Sequence, residues 1–349
     1  MENIGNYTLL HRIRETRNST VYRGYKNDDN LSVIVKVVSA QDSFSSDISR
    51  FKQEYQTIRT LDLNGIIKTY DLITYEDNIA LILEDFDAVS LKECLKNEYI
   101  NLETFFDIST KLADTLGTLH KKGIIHRDLK PDNILVAKDT GEVKITDFGI
   151  SHVLTRENEE ISNPDVIEGT LRYISPEQTG RMNRAIDYRT DLYSLGITFY
   201  EILTGNPPFE SQEPIEIIHS HIARQPVPPQ NANFSIPKPV SDIILKLLSK
   251  AAEERYQNAH GLLPDLRYCW EHYRENAYIP EFELAKNDVS LKFNIPQMLV
   301  GREEENKLLM DAFTLVAEQG KPGVVLVSGD PGVGKSFLIN EINKPIVAR

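Results

Sequence analysis

The first quarter of the chain alternates short apolar runs with polar turns. The runs are TLLHRI, TVYRGY, LSVIVKVV, IIKTYDLI and NIALILED, all between residues 8 and 85. Each run is rich in β-branched residues and bounded by polar ones, which is typical of strands. Residues 46–61 interrupt the series with a segment that predicts a helix. The amino-terminal part is therefore predicted to be a β-sheet accompanied by one helix.

Helical spacing dominates from Leu102 onward, where apolar residues recur at intervals of three and four. They are Phe105, Ile108, Leu112, Leu116 and Leu119. Lys121, Lys122 and Gly123 then predict the end of this helix, because cations suit a carboxyl end and glycine can take the left-handed conformation. Strands followed by helices indicate an α+β fold, not a doubly wound sheet.

The remaining third of the chain contains weaker signals. Five prolines within residues 225–240 predict an extended connection, and residues 275–296 lack periodicity and are interpreted as a linker. Helices are predicted at residues 240–250, 258–274 and 303–319. The run GVVLVSG, residues 323–329, predicts a strand that begins a new unit.

Composition excludes several classes of function. The formal net charge of -13 argues against general binding to nucleic acids or anionic membranes, because both are polyanions. The two cysteines, Cys94 and Cys269, form no metal-binding pattern, so a reducing, cytoplasmic location is predicted. No signal peptide is recognisable and no apolar run reaches the ~18 residues that span a bilayer. We therefore expect no membrane insertion.

A lysine and a glutamate in the first part are candidates for the charge neutralisation that phosphoryl transfer needs. Lys36 lies in VIVKVV, a buried-strand pattern, and Glu54 follows eighteen residues later on the predicted helix. In such sites the lysine holds the α- and β-phosphates, and the glutamate fixes the lysine. Alone, a lysine within a strand is more often an edge residue, so this pair needs support from the rest of the chain.

Two motifs in the helical part supply that support. HRDLKPDN places Asp128 to accept the proton of a substrate hydroxyl, Lys130 to stabilise the γ-phosphate and Asn133 to bind magnesium. DFG, fourteen residues after Asn133, supplies Asp147 as the main magnesium ligand, with Phe148 as a packing anchor. SPE follows twenty-six residues after the DFG glycine. This order is hard to obtain by chance.

Together these motifs resemble the eukaryotic-type protein kinase family over about three-quarters of the chain, residues 7–273. The resemblance implies a two-lobed fold with ATP and Mg²⁺ in the cleft, and a protein substrate with a Ser or Thr acceptor. Thr170 is similar to the threonine that bridges the catalytic Asp and Lys in Ser/Thr kinases. Glu177 and Arg255 resemble a structural ion pair, and Asp191 resembles the buried aspartate that anchors the HRD backbone.

On the nucleotide side, the resemblance implies that Leu83 is the gatekeeper and that Glu84 to Phe86 form the hinge that meets adenine. Ile13 and Val21, at the two ends of the phosphate-covering loop, complete the implied nucleotide site.

That loop departs from the family pattern GxGxxGxV. Counted back from Val21, its glycine positions carry Arg14, Thr16 and Ser19. Glycine lets backbone amides approach phosphate closely, so this loop covers a nucleotide less tightly or differently. Arg14 or Arg17 could compensate with side-chain charge, although each is more often a solvated surface residue. A weak kinase, or a pseudokinase that acts as a docking or regulatory module, is the alternative.

The carboxyl-terminal tail contains GDPGVGKS, a match to the Walker A pattern GxxxxGK[ST]. Gly329, Gly334, Lys335 and Ser336 are its candidate nucleotide-binding residues, with Lys335 on the phosphates and Ser336 on magnesium. Only thirteen residues follow Ser336, so residues 298–349 are expected to be the incomplete start of a P-loop NTPase α/β domain. The alternative that the chain's main activity is that of the NTPase is disfavoured for this reason.

The stretch SPEQTGRMNRAIDYRTDLYSLG and the later VGREEE narrow the resemblance to large bacterial multidomain signalling proteins. In that family a Ser/Thr kinase domain precedes a signal-transduction ATPase, often with a GAF domain and a sensor histidine kinase. The resemblance implies a kinase domain at 7–273, a linker at 274–297 and an ATPase fragment at 298–349. Further carboxyl-terminal signalling domains of a longer parent protein are the implied partners.

Overall fold

The structure is a computed structural model that describes most of the chain. The described residues are 3–15, 19–39, 45–61, 63–75, 78–97, 100–153, 170–182, 184–289 and 302–329, together with Lys335 and Leu338.

In the amino-terminal lobe, the described strands form an antiparallel sheet in the order β1-β2-β3-β4-β6-β5. They are β1 (Asn3–Ile4), β2 (Tyr7–Glu15), β3 (Thr20–Lys26), β4 (Ser32–Ser39), β5 (Thr69–Tyr75) and β6 (Asn78–Glu84). Helix α1 (Ser45–Arg59) packs against β5 and β6. Apolar residues of β4 and β6 alternate between two buried clusters, one on each face of the sheet. The predicted sheet with one helix is confirmed.

The carboxyl-terminal lobe is mainly helical. Its helices are α2 (Leu91–Asn97), α3 (Leu102–Lys121), α4 (Arg189–Thr204), α5 (Pro214–Ala223), α6 (Pro229–Ala232), α7 (Lys238–Leu247) and α8 (Ala259–Asn276). Its short strands are β7 (Val89–Ser90), β8 (Ile124–Ile125), β9 (Ile134–Val136), β10 (Val143–Ile145) and β11 (His152–Val153). The two-lobed α+β architecture predicted from the sequence is therefore confirmed.

Helix α3 forms the centre of this lobe. Asn101 caps its amino terminus by accepting a hydrogen bond from the backbone N–H of Thr104 at 2.9 Å. The five apolar residues of the predicted stripe are all buried, at 2 % exposure or less. Gly123 follows the helix with φ +75°, the left-handed conformation expected of it. Local signals and burial agree here, and the predicted helix is confirmed.

The proline-rich segment 225–240 was predicted to be extended throughout, and this prediction is wrong. Pro229 begins the single turn of α6, and α7 begins at Lys238 with Pro239 in its first turn. Proline suits these positions because the first N–H groups of a helix have no partner within it. The prolines therefore begin helices here as well as separating them.

The residues after α8 turn back along that helix. Helix α8 ends at Asn276, where Ala277 has φ +49°. Phe282 then packs on Tyr268, with ring centroids 4.4 Å apart. Further on, the Asp288 carboxylate accepts hydrogen bonds from the backbone N–H groups of Gln257 and Asn258, just before α8 begins. The first part of the predicted linker, residues 277–289, is thus a docked segment of the helical lobe.

In the tail, helix α9 (Glu303–Gln319) has the predicted bounds. The predicted strand at 323–329 is not formed, and Val324 and Leu326 are at least 90 % exposed. A strand needs a neighbouring strand for its backbone hydrogen bonds, and none of the described residues pairs with this run. The run is apolar, as a strand would be, but no described strand lies beside it to form a sheet. No helix among the described residues is both long and apolar enough to cross a membrane.

Candidate active site between the two lobes

Lys36 lies on β4 and connects the sheet lobe to the helical lobe. Its ammonium Nζ is 2.9 Å from Glu54 Oε2 on α1 and 3.2 Å from Asp147 Oδ1. Burial alone would lower the pKa of Lys36, but the charges of Asp147 and Glu54 raise it above its ordinary value. The lysine is therefore a fixed cation, and the predicted pair with Glu54 is formed.

Asp147 follows β10 with a left-handed backbone, φ +69°. The charge of Lys36 holds the pKa of this carboxyl below its ordinary value, so Asp147 is an anion at neutral pH. The next residue, Phe148, is fully buried, and its ring lies 4.7 Å from that of His126. The aromatic contact anchors the backbone that presents Asp147 to the cleft.

Asp191, the first-turn acid of α4, holds the HRD backbone. Its carboxylate accepts hydrogen bonds from the backbone N–H groups of His126 and Arg127, both at 2.8 Å, and lies 2.9 Å from His120 Nε2. Burial opposes its ionisation, but these bonds and the nearby histidines keep its pKa below the ordinary value. Arg127 has φ +67°, a conformation costly for a side chain of this kind. Asp191 stabilises that strained turn, and Asp128 follows it directly.

Asp128 lies within a network of three neighbours. Lys130 Nζ donates to Asp128 Oδ2 and to Thr170 Oγ1, each at 2.5 Å. The Thr170 hydroxyl in turn donates to Asp128 Oδ1 at 3.0 Å. Asn133 Nδ2 donates to the Asp128 carbonyl oxygen at 2.9 Å. The structure thus brings together all the residues predicted to carry the catalytic step, and it makes Thr170 the bridge between the aspartate and the lysine.

Asn133 and Asp147 are the predicted metal ligands. Because Asn133 donates through its amide nitrogen, its carbonyl oxygen is the atom that could bind a cation. An amide oxygen and an ionised carboxylate are hard oxygen donors of the kind magnesium prefers. The donor set therefore fits Mg²⁺.

The nucleotide side of the cleft begins with the sheet. Val21 on β3 is directly opposite Lys36 in the β3–β4 register, so both side chains lie on the face that points into the cleft. Ile13 occupies a bulge in β2 and is about half exposed. Val21 therefore places an apolar side chain beside the lysine.

The predicted hinge begins at Glu84, the last residue of β6, and Phe86 lies just after that strand. The Glu84 side chain accepts a hydrogen bond from the Lys68 backbone N–H at 2.8 Å and pairs with Lys144 Nζ at 2.7 Å. Lys144 also lies 4.5 Å from the centre of the Phe86 ring. The Glu84 carboxylate is therefore engaged within the protein, and its backbone N–H also donates to the Lys68 carbonyl oxygen, at 3.0 Å. The motif spacing did not indicate Lys144. Its buried ion pair with Glu84 places it beside the predicted hinge.

Arg14 stands where the family pattern has its first glycine. Its guanidinium Nη2 lies 3.1 Å from Asp132 Oδ1, in the HRDLKPDN loop of the opposite lobe. Thr16 and Arg17 lie outside the described residues. The sequence favoured a solvated Arg14, and the side chain is indeed 54 % exposed, although it also forms this ion pair with Asp132.

Glu177 and Arg255 form the expected ion pair away from the cleft. The two guanidinium nitrogens donate to the two carboxylate oxygens at 2.7 and 2.8 Å, and Arg255 is 1 % exposed. Burial opposes ionisation of Glu177, but Arg255 holds its pKa at about 2. This pair is structural, since it fixes the segment after Thr170 to the base of the helical lobe.

In the tail, Lys335 Nζ donates to the Gly329 carbonyl oxygen at 2.8 Å. Gly334 and Ser336 lie outside the described residues, so the Walker A assignment stays a prediction.

Comparison with known proteins agrees with this geometry. A family model for the protein kinase domain matches residues 7–264, and one for the AAA ATPase domain matches residues 298–349. The chain is 37 % identical over 268 residues to a probable serine/threonine-protein kinase of Clostridium perfringens, covering 75 % of this chain and 38 % of that protein. It is 33 % identical over 272 residues to a probable serine/threonine-protein kinase of Clostridium acetobutylicum, covering 76 % and 40 % respectively.

Serine/threonine-protein kinase PknB of Mycolicibacterium smegmatis is 33 % identical over 222 residues, covering 62 % of this chain and 35 % of PknB. This chain therefore spans well under half the length of these curated relatives. With its two-lobed fold and this match, the chain belongs to the protein kinase domain family.

Proposed function

We propose that this chain catalyses the transfer of the ATP γ-phosphate to serine or threonine hydroxyls of proteins, with magnesium, in bacterial signalling. The observation that carries the proposal is the network around Asp128, in which Lys130 and Thr170 fix both carboxylate oxygens. The kinases named among its relatives are consistent with this activity.

Each residue of the site has a distinct role in the proposed phosphoryl transfer. Asp128 accepts the proton of the attacking hydroxyl, because Lys130 and Thr170 hold its two carboxylate oxygens in a fixed orientation. Lys36 and Lys130 neutralise phosphate charge, which is the main contribution a protein makes to phosphoryl transfer. Bound Mg²⁺ supplies further charge neutralisation, and Asn133 and Asp147 would hold it. Ile13, Val21 and the backbone from Glu84 to Phe86 would hold the adenine ring.

The assignment to serine and threonine rests on two positions. Lys130 reaches both Asp128 and Thr170, and this lysine–threonine bridge is the Ser/Thr pattern that the sequence predicts. We therefore expect phosphoserine and phosphothreonine as products.

The pseudokinase alternative has one motivating feature, the loop without glycines. Against it stands the engagement of Lys36 with both Glu54 and Asp147. That arrangement is the one in which the lysine, the helix glutamate and the metal-binding aspartate can act together. We therefore propose catalysis as the function. Docking without catalysis is the alternative that the following test distinguishes from it.

The test is incubation of the chain with γ-labelled ATP, magnesium and a generic protein substrate. Asp128→Asn should abolish labelling, while Asp139→Asn, at an exposed position outside the site, should leave it unchanged. Acid hydrolysis of the product should yield phosphoserine or phosphothreonine. Wild-type chain that binds ATP but transfers no label would support the docking module instead, and phosphotyrosine as the main product would contradict the residue assignment.

For the rest of the chain we propose a signalling context. The match of residues 298–349 to the AAA ATPase domain supports a following nucleotide-binding domain, with further signalling domains as partners. A cytoplasmic location is proposed because both cysteines are buried free thiols. The domain bounds 7–273, 274–297 and 298–349 remain part of this proposal.

A further inference from the structure

Asp85, the middle residue of the predicted hinge, is held by two side chains of the sheet lobe. Its Oδ2 lies 2.8 Å from Arg23 Nε and accepts a hydrogen bond from Ser32 Oγ at 2.8 Å, while its Oδ1 accepts one from Arg23 Nη2 at 3.1 Å. The Asp85 side chain is 7 % exposed. A carboxylate buried to this extent needs such partners, so Arg23 and Ser32 fix the hinge at this residue.

The strand register brings Arg23 to the hinge. Arg23 is opposite Ile34 in the β3–β4 pairing, and Ile34 is opposite Leu83 in the β4–β6 pairing. Residues two apart on a strand share a face, so Arg23 lies on the same face of β3 as Val21, the face that points into the cleft. The register thus places the Arg23 side chain near the residues just after Leu83, where Asp85 lies.

The same two side chains stabilise the turn that follows the hinge. Asp87 has φ +54°, a left-handed conformation that is costly for residues other than glycine, although aspartate adopts it more readily than most. The Asp85 carboxylate accepts a hydrogen bond from the Asp87 backbone N–H at 3.2 Å, and Arg23 Nη2 lies 3.4 Å from Asp87 Oδ1. Glu84, on the other side of Asp85, is paired with Lys144 of the helical lobe. The hinge backbone is thus held from both lobes.

We propose that Arg23 and Asp85 are positioning residues for the nucleotide: their ion pair holds the backbone of residues 84–86 in the conformation that receives adenine. The inference rests on the proposed function. A site that is already ordered binds more tightly, because the ligand does not have to order it at the expense of its own binding free energy. Neither side chain has a part in the phosphoryl transfer itself, so the pair acts on binding of the base and not on the chemical step.

Two other roles for the pair make different predictions. If Arg23 instead contacted the nucleotide directly, Asp85 would compete with the nucleotide for its guanidinium, and removing the Asp85 charge would strengthen binding. If the pair only stabilised the fold, its loss would lower the unfolding midpoint and leave the affinity of the folded chain unchanged. A positioning pair requires both residues, and their effects on binding of the base are coupled.

The experiment measures, in the full chain, the affinities for Mg–ATP and for adenosine by calorimetry, and kcat and the KM for ATP by initial rates. Arg23→Gln and Asp85→Asn should each weaken binding of both ligands by the same factor, about three- to tenfold, because adenosine carries the base without the phosphates. The double variant should bind no more weakly than either single variant, and the loss should appear in KM with kcat unchanged. Ser32→Ala, at an exposed position, should show a smaller loss of the same kind. Lys26→Gln, on the same strand but paired locally with Asp28, is the matched control and should bind as the wild type does.

Other results overturn the positioning role. Tighter binding in Asp85→Asn would make Arg23 a direct ligand of the nucleotide, and weaker binding of ATP with unchanged binding of adenosine would place the effect on the phosphate side. Losses that multiply in the double variant would show two independent effects. Variants that unfold more easily but bind both ligands as the wild type does would make the pair structural only. Calorimetry separates these cases, because a loss of folded chain lowers the stoichiometry and not the affinity.

The exposed variant covers the case in which the two charge variants do not fold. Unchanged affinity for adenosine in Ser32→Ala would then overturn the role by itself. Wild-type chain that binds neither ligand would overturn the proposed function as well. Wild-type chain that binds both ligands and transfers phosphate, with variants that bind as it does, would remove the positioning role alone.

Discussion

Replacing Arg255 with methionine should strongly destabilise the helical lobe. The three guanidinium nitrogens of Arg255 donate five hydrogen bonds, two to the Glu177 carboxylate and three to the carbonyl oxygens of Arg189, Ser249 and Lys250. Methionine has a comparable length but no donor. The variant therefore leaves the Glu177 carboxylate buried without its cation.

The magnitude follows from the pKa of Glu177. Its ordinary value is 4.5 and Arg255 holds it at about 2 in the folded state, which corresponds to about 3 kcal/mol at about 1.4 kcal/mol per pKa unit. Removing one partner of a buried pair typically costs about 3–5 kcal/mol. We expect a loss of unfolding free energy of that order at pH 7.

The loss of unfolding free energy in Arg255→Met should depend on pH. In the wild type, the Glu177 contribution is fully present above pH 4.5 and is lost as the pH falls from there toward 2. In Arg255→Met, burial without a cation raises the pKa of Glu177 above 4.5, so the penalty is present at neutral pH and fades as the carboxyl protonates. The difference between the two proteins should therefore narrow between pH 7 and pH 5.

The assay is urea unfolding followed by fluorescence of Trp270, the chain's one tryptophan, on helix α8 of the same lobe. The matched control is the double variant Arg255→Met with Glu177→Gln, which removes the stranded charge and should be more stable than Arg255→Met alone. A difference in unfolding free energy that stays the same at pH 7 and pH 5, with no recovery in the double variant, would refute the electrostatic reasoning and leave lost packing as the cause.

Two further expectations test the site and the docked segment. Lys36→Met should lower kcat/KM about 100-fold or more, because a cation on the phosphates is lost, while Lys26→Met on β3 should have little effect; activity within threefold of wild type in Lys36→Met would contradict the site. Removing residues 290–349 should leave the urea midpoint of the helical lobe unchanged, whereas removing 277–349 should lower its stability by at least about 1 kcal/mol, since the packing and the Asp288 hydrogen bonds before α8 are lost. Equal midpoints for the two truncations would show that the segment contributes nothing.

Motif spacing was sufficient to name the residues that gather in the cleft. Lys36, Asp128, Asn133 and Asp147 come from separate elements, and the structure brings each to the place the motifs predict. The reason is that each motif carries its own local conformation: a buried strand for Lys36 and strained turns for the two aspartate motifs. The distances and the Thr170 bridge required the structure.

Contacts between distant segments could not be predicted in this way. Lys144 pairs with Glu84 sixty residues away, and no periodicity or motif links the two. The destination of Arg14 depends on a bulge, and a shift of one residue in strand register leaves no mark in a single sequence. The run at residues 323–329 shows the converse, since its apolar pattern was visible but a strand also requires a neighbour.

The docked segment 277–289 also sets where the chain leaves the kinase fold. Helix α8 has 18 residues, so it is about 27 Å long at 1.5 Å per residue. Because the segment runs back along α8, the chain leaves the fold near Asn258, just before the helix, and not at the carboxyl end of the helix. Asn258 is three residues from Arg255 in the sequence. Any domain attached beyond residue 289 is thus tethered close to the Glu177–Arg255 ion pair, which holds the segment after Thr170. A force exerted by such a domain would act first near the Glu177–Arg255 ion pair, and not at the carboxyl end of α8.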